Sequence, residues 1–149
     1  MNKQLDSQSV QVDAYLVELI KIEKMRRKFC ESAVGDCKLS PSEMDVLYFL
    51  ANQSKFDTAK DIAEYMGISK SLVCRAVASL TEKGFLLSQV DQDDKRVVHL
   101  KILNNAYEIV NGIEKNKKAF CQKLLQDISK EEMNRFEQVL KKMKINLYK

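Results

Sequence analysis

The chain has 149 residues, 45% of them hydrophobic and 31% charged, with a formal net charge of +4. That length suits one domain with a real core, and the longest apolar stretch, VLYFLA at 46–51, falls far short of the roughly 20 residues a membrane-spanning helix needs. One proline and four glycines argue against a turn-rich β fold, the polar start MNKQLDSQSVQVD shows no secretory pattern and points to the cytoplasm, and the mild positive charge permits an anionic partner without requiring one.

Val12, Tyr15, Leu16, Leu19 and Ile22 recur at helical spacing, and KMRRKF at 24–29 places cations toward that helix's C-terminus, where its dipole favours them. ESAVGDCK ends it. SPSE at 40–43 is a start signal, with Ser40 as N-cap, Pro41 at the first helical position and Glu43 closing a capping box. The helix it opens turns Met44, Leu47, Tyr48 and Leu50 toward a core.

After NQSKFD, Thr58 caps a short helix, Gly67 turns the chain, and Ser69 caps a longer helix that Gly84 closes in a left-handed conformation. The runs FLLSQV and VVHLKIL then flank DQDDKR at 91–96. In the second run Val98, Leu100 and Ile102 alternate with Val97, His99 and Lys101, the period of a half-buried strand. Ile109, Ile113, Phe120, Leu124 and Ile128 mark a further helical stripe. SKEE at 129–132 opens another helix, with Phe136, Val139, Leu140, Met143 and Leu147 on one side.

Two helices joined by a tight glycine-containing turn and followed by a hairpin form a winged helix-turn-helix. The expected fold is mainly α, with a lobe of three to four helices and a two-stranded β-hairpin wing over residues 40–103. On the second helix of the motif, Leu72, Val73, Ala76, Val77 and Leu80 form one face and Lys70, Ser71, Cys74, Arg75 and Ala78 the other. Short side chains let a backbone approach a surface closely, and one long arginine then projects past them toward a base edge or a phosphate. The plainer reading, an amphipathic helix with an indifferent outer face, stays open on the helix alone.

At the hairpin tip, Asp91 and Asp94 can accept from loop backbone N–H groups, and Asp94 can hold Arg96 in one orientation. An arginine on a narrow hairpin has the size and charge for a DNA minor groove. A charged, solvated turn is the alternative. A calcium loop is disfavoured, because the glycine and bidentate glutamate that should follow D-Q-D-D are missing.

The stretch 58–104, TAKDIAEYMGISKSLVCRAVASLTEKGFLLSQVDQDDKRVVHLKILN, resembles the MarR and SlyA family of transcription factors. The resemblance rests on the helix-turn-helix, the L-x-x-K-G-F/L-L junction at 80–86 and a wing of the form D-x-x-D-x-R at 91–96, and the flanking helices extend it over nearly the whole chain. It implies a single MarR-like domain over 1–149 that forms a homodimer through helices at 10–30 and 105–149. It also implies a recognition helix in the major groove and a minor-groove pair formed by Asp94 and Arg96. Position 93 is Asp where the family often carries a basic residue.

The candidate DNA contacts are Thr58, Ser69, Lys70, Ser71, Cys74, Arg75, Asp94, Lys95 and Arg96. Relatives often bind small phenolic or lipophilic molecules, for which Tyr15, Met25, Phe29, Tyr48 and Phe49 are candidate pocket residues; the same residues also suit a plain core. Cys30, beside Arg26, Arg27 and Lys28, and Cys74 are candidate redox sensors, since neighbouring cations favour a thiolate. No catalytic constellation, metal-spaced ligand set or cofactor motif is present, and His99 is the only histidine. The expected function is a sequence-specific double-stranded DNA-binding regulator, a homodimeric repressor on a near-palindromic operator, released by a small effector or an oxidative signal. The alternative is a winged-helix module for protein–protein contact, its acidic wing unfit for DNA.

Overall fold

In the computed structural model, residues 3–53 and 55–148 are described, and six α-helices and one hairpin lie among them. They are α1 (Lys3–Glu31), α2 (Pro41–Asn52), α3 (Ala59–Met66), α4 (Lys70–Glu82), β1 (Leu86–Val90), β2 (Val98–Ile102), α5 (Tyr107–Leu124) and α6 (Lys130–Leu147). No described helix is long and apolar enough to cross a membrane. The chain forms two compact units, one through Lys118 and the other from Ala119.

Helix starts are set by side chains that satisfy otherwise orphaned N–H groups. Ser40, Thr58 and Ser129 each cap a helix in a reciprocal box, with Glu43, Asp61 and Glu132 as the respective third residues, and Ser69 accepts from the Leu72 N–H at the start of α4. Gly67, at φ 64°, turns the chain out of α3, and Gly84, at φ 76°, does so after α4. That left-handed region costs a residue with a Cβ, so both positions suit glycine. Ile128, expected to continue the α5 stripe, lies in the turn between α5 and α6.

Within the larger unit, Val46, Leu47, Ile62, Val73, Leu80, Leu86 and Ile113 are the largest fully buried side chains. They come from α2, α3, α4, β1 and α5, so the helix-turn-helix and the first part of α5 share one core. That is why the compact unit runs past residue 103, where the expected lobe ended. β1 and β2 pair antiparallel from Leu86↔Ile102 to Val90↔Val98. Leu86, Leu100 and Ile102 point into the core and anchor the base of the wing.

Polar groups tie the same elements together. Glu43, only 4% exposed, accepts from the Ser40 N–H at 2.6 Å and from Lys83 Nζ at 2.7 Å, joining the start of α2 to the end of α4. Burial raises its pKa, but hydrogen bonds from Lys83, Ser79 and Ser40 outweigh this and hold the carboxyl below its usual value. Asp45 lies between Arg26 of α1, at 3.4 Å, and Lys117 of α5, at 3.9 Å.

Candidate nucleic-acid interface

The turn between α3 and α4 presents the outer side of α4. Val73, Ala76 and Leu80 are buried, whereas Lys70, Ser71, Cys74, Arg75 and Ala78 are all exposed, matching the division read from the sequence. The Ser69 hydroxyl accepts from the Leu72 N–H and lies 3.2 Å from the Ser71 hydroxyl, so it fixes the helix start. Thr58 does the same for α3, its hydroxyl bonded to the Asp61 carboxylate at 2.7 Å.

A cleft of about 840 Å³ separates α4 from the wing. Thr58 and Lys60 from the start of α3, Lys70, Cys74 and Ala78 from α4, and Arg96 from the wing all line it. Glu82 and the apolar Val77, Val97, Val98 and Leu100 line it too, and Lys60, Lys70 and Arg96 supply its cations, which suit a phosphate-bearing strand.

The wing tip is ordered by its own carboxylates. Asp91 Oδ1 accepts from the backbone N–H of Asp93 and of Asp94, each at 2.8 Å. Those backbone donors, above all Asp94, together with His99, draw the Asp91 pKa down to about 2. Asp94 accepts from the Arg96 N–H at 3.0 Å, from Nε at 3.1 Å and from Nη2 at 3.2 Å. The two-pronged grip leaves the Arg96 side chain 91% exposed and holds the Asp94 carboxyl below its usual pKa. Both aspartates therefore act as the sequence suggested, one shaping the turn and the other orienting the arginine. Lys95 is exposed beside them.

His99 was missed as part of this tip. Its Nδ1 lies 2.7 Å from Asp57 Oδ1 and its Nε2 3.0 Å from Asp91 Oδ2. The sequence signal was limited to a lone histidine on the outward side of a strand close to an acidic turn. Asp57, 42 positions earlier, carries no mark of the contact.

The candidate pocket residues Tyr15, Met25, Phe29, Tyr48 and Phe49 lie on α1 and α2 in different surroundings. Phe49 is buried with its ring 4.9 Å from that of Tyr65, Tyr48 lies under the Lys117 ammonium at 3.5 Å, and Tyr15 and Met25 are exposed on α1. Adjacent residues on a helix point about 100° apart, so Tyr48 and Phe49 diverge. Cys30 is not poised as a thiolate: it is 3% exposed, and burial pushes its thiol up despite Arg26 and Lys117. Cys74 is exposed and free.

The comparisons with known proteins agree with this geometry. Residues 38–97, which span α2, the helix-turn-helix and the wing tip, match the model of the MarR family. An uncharacterized HTH-type transcriptional regulator, YdgJ, from Bacillus subtilis (strain 168), is 23% identical over 109 residues. That match covers 73% of this chain and 66% of the relative, just under two thirds of its length. A MarR-family transcriptional regulator from Silicibacter pomeroyi superposes with a TM-score of 0.72, at 20% identity and covering 90% of each chain. Bordetella bronchiseptica BpsR, whose DNA binding is regulated by 6-hydroxynicotinic acid, superposes with a TM-score of 0.70, at 19% identity over 90% of this chain and 98% of its own. The capped helix-turn-helix and its wing, matched over residues 38–97 by the MarR family model, give the chain the winged-helix fold of the MarR-family regulators on which it superposes.

Proposed function

We propose that the chain is a sequence-specific double-stranded DNA-binding transcriptional regulator. The observation that carries this reading is a cleft lined both by the outer face of α4 and by the wing arginine. Lys70, Cys74 and Ala78 of α4 meet there with Arg96, which Asp94 holds at the wing, and Arg75 is exposed on α4 beside Cys74. A helix and a wing arginine lining one cleft suit a recognition helix in the major groove and a wing at the adjacent minor groove. Thr58, Ser69, Lys70, Ser71 and Lys95 then position the backbone, while Arg75 and Cys74 face base edges.

The protein acts as a homodimer on a near-palindromic operator and as a repressor in the cytoplasm. Support for the dimer comes from apolar side chains left exposed on α1, such as Tyr15, Leu16 and Leu19, and on α6, such as Phe136, Leu140 and Met143. A small lipophilic or phenolic effector releases it, by analogy with the ligand control of BpsR. The test is the salt dependence of duplex binding. Affinity falling linearly on a log–log plot against salt, with a slope set by several phosphates, supports the reading. Absence of duplex binding at low salt overturns it, and sequencing the duplexes that the purified protein captures identifies the operator.

A further inference from the structure

His99 has a carboxylate at each end of its ring, and the two come from different parts of the lobe. Asp57 belongs to the segment between α2 and α3, and Asp91 opens the wing tip. Carboxylates accept hydrogen bonds and donate none, so both contacts are hydrogen bonds only when both ring nitrogens carry a proton. The main chain adds a bond at the same place, the Leu100 N–H donating to the Asp57 carbonyl at 2.8 Å. From Asp91 the connection runs on through the Asp94 N–H to the Asp94 carboxylate and so to Arg96. A continuous line of polar contacts thus leads from the body of the lobe, through one imidazole, to the arginine at the tip.

We propose that the His99 imidazolium is a positioning residue for DNA binding, clamping the wing tip to the segment before α3 so that Arg96 is presented in a fixed place. This rests on the DNA-binding reading above. Loss of one proton sets a nitrogen lone pair against a carboxylate and breaks one of the two bonds, so the tip loses its side-chain tie to the lobe while the main-chain bond at Leu100 remains. The charged groups facing the ring are Asp57 and Asp91; β1 offers the uncharged Gln89 opposite it in register, and Lys101 lies two residues on along β2. The bonds to Asp57 first and Asp91 second raise the imidazole pKa above its usual value. A raised folded-state pKa means that the clamp is fully present below the unfolded value, about 6.5, and is lost as pH rises through the folded one. DNA affinity that depends on the wing should weaken in that same interval.

Because His99 is the only histidine in the chain, its Cε1–H resonance reports its titration without assignment. The expected midpoint lies above the usual imidazole value and moves down in Asp57→Asn. A midpoint at or below the usual value in the wild-type protein overturns the clamp. The second measurement is anisotropy of a fluorescein-labelled duplex of about 30 base pairs, long enough for two half-sites and containing an A-tract, at fixed salt from about pH 6 to 9. Wild-type affinity should fall several-fold around the midpoint seen by NMR. His99→Gln and Arg96→Ala should each bind more weakly at low pH and lack that step, and Asp57→Asn should shift it. A His99→Gln profile parallel to the wild type, with duplex binding intact, overturns the positioning role alone. No wild-type binding at any pH overturns the DNA-binding reading and the positioning role with it, while the NMR midpoint still distinguishes a clamp from an idle contact.

Discussion

Asp94 binds Arg96 through both carboxylate oxygens, at 3.1 and 3.2 Å, and holds nearly fully exposed a side chain that would otherwise sample many rotamers. Charge alone says that removing an acid next to DNA tightens binding. Orientation says the opposite, because a released arginine must lose conformational freedom on docking. Asp94→Ala should therefore weaken duplex binding several-fold at matched salt, and Arg96→Ala should weaken it further with little change in thermal stability. Filter or anisotropy titrations with melting curves check both; tighter binding by Asp94→Ala would leave that residue as a turn former only.

Arg75 is the long side chain on a face otherwise built for close approach. Arg75→Ala should lose about 1–3 kcal/mol on the selected operator and far less on a random duplex. Equal losses on the two would make it a phosphate contact. Cys74 shares that face, so labelling it with a bulky maleimide should block binding. Mass spectrometry of the same native sample should find Cys30 unmodified, as its burial requires.

The Glu43–Lys83 pair spans 40 positions and closes the helix-turn-helix against α2. Glu43→Ala removes a cap and the buried partner of Lys83 together, and should cost about 1–3 kcal/mol in urea unfolding at neutral pH. Its folded pKa is depressed, so this contribution is present above the usual carboxyl value of 4.5 and is lost as pH falls through the lower folded one. The difference in stability between wild type and Glu43→Ala should accordingly shrink on acidification below pH 4.5.

Assembly has its own readout. On the homodimer reading, a second copy covers Leu16 and Leu19 of α1 and Phe136, Leu140 and Met143 of α6, which are exposed in one chain. Sedimentation at micromolar concentration should give a dimer, and Leu140→Asp with Met143→Asp should shift the population toward monomer. A wild-type monomer, folded by circular dichroism, would contradict the homodimer.

Features set within a few residues could be read from the sequence. Ser40, Thr58, Ser69 and Ser129 announce helix starts because the capped N–H lies three residues away, and Asp94 with Arg96 is a contact two residues apart. Strand alternation likewise located the wing, since Leu100 and Ile102 must face one way. Contacts made by folding could not be read in this way. Nothing near Asp57 points to His99, and Arg26–Lys28 beside Cys30 in sequence suggested an activated thiol until the helix turned Cys30 inward.

A wing tip with three carboxylates and two cations adheres poorly to a polyanion unless its arginine is seated. For a DNA-binding regulator, almost all the duplex it meets in a cell is not its target, and occupancy of the target depends on the ratio of residence there to residence elsewhere. A tip rich in lysine would lengthen every encounter alike. On the DNA-binding reading, an acidic tip would shorten pauses on random sequence and keep the benefit of Arg96 for a groove that receives it, trading raw affinity for faster rejection of the wrong DNA.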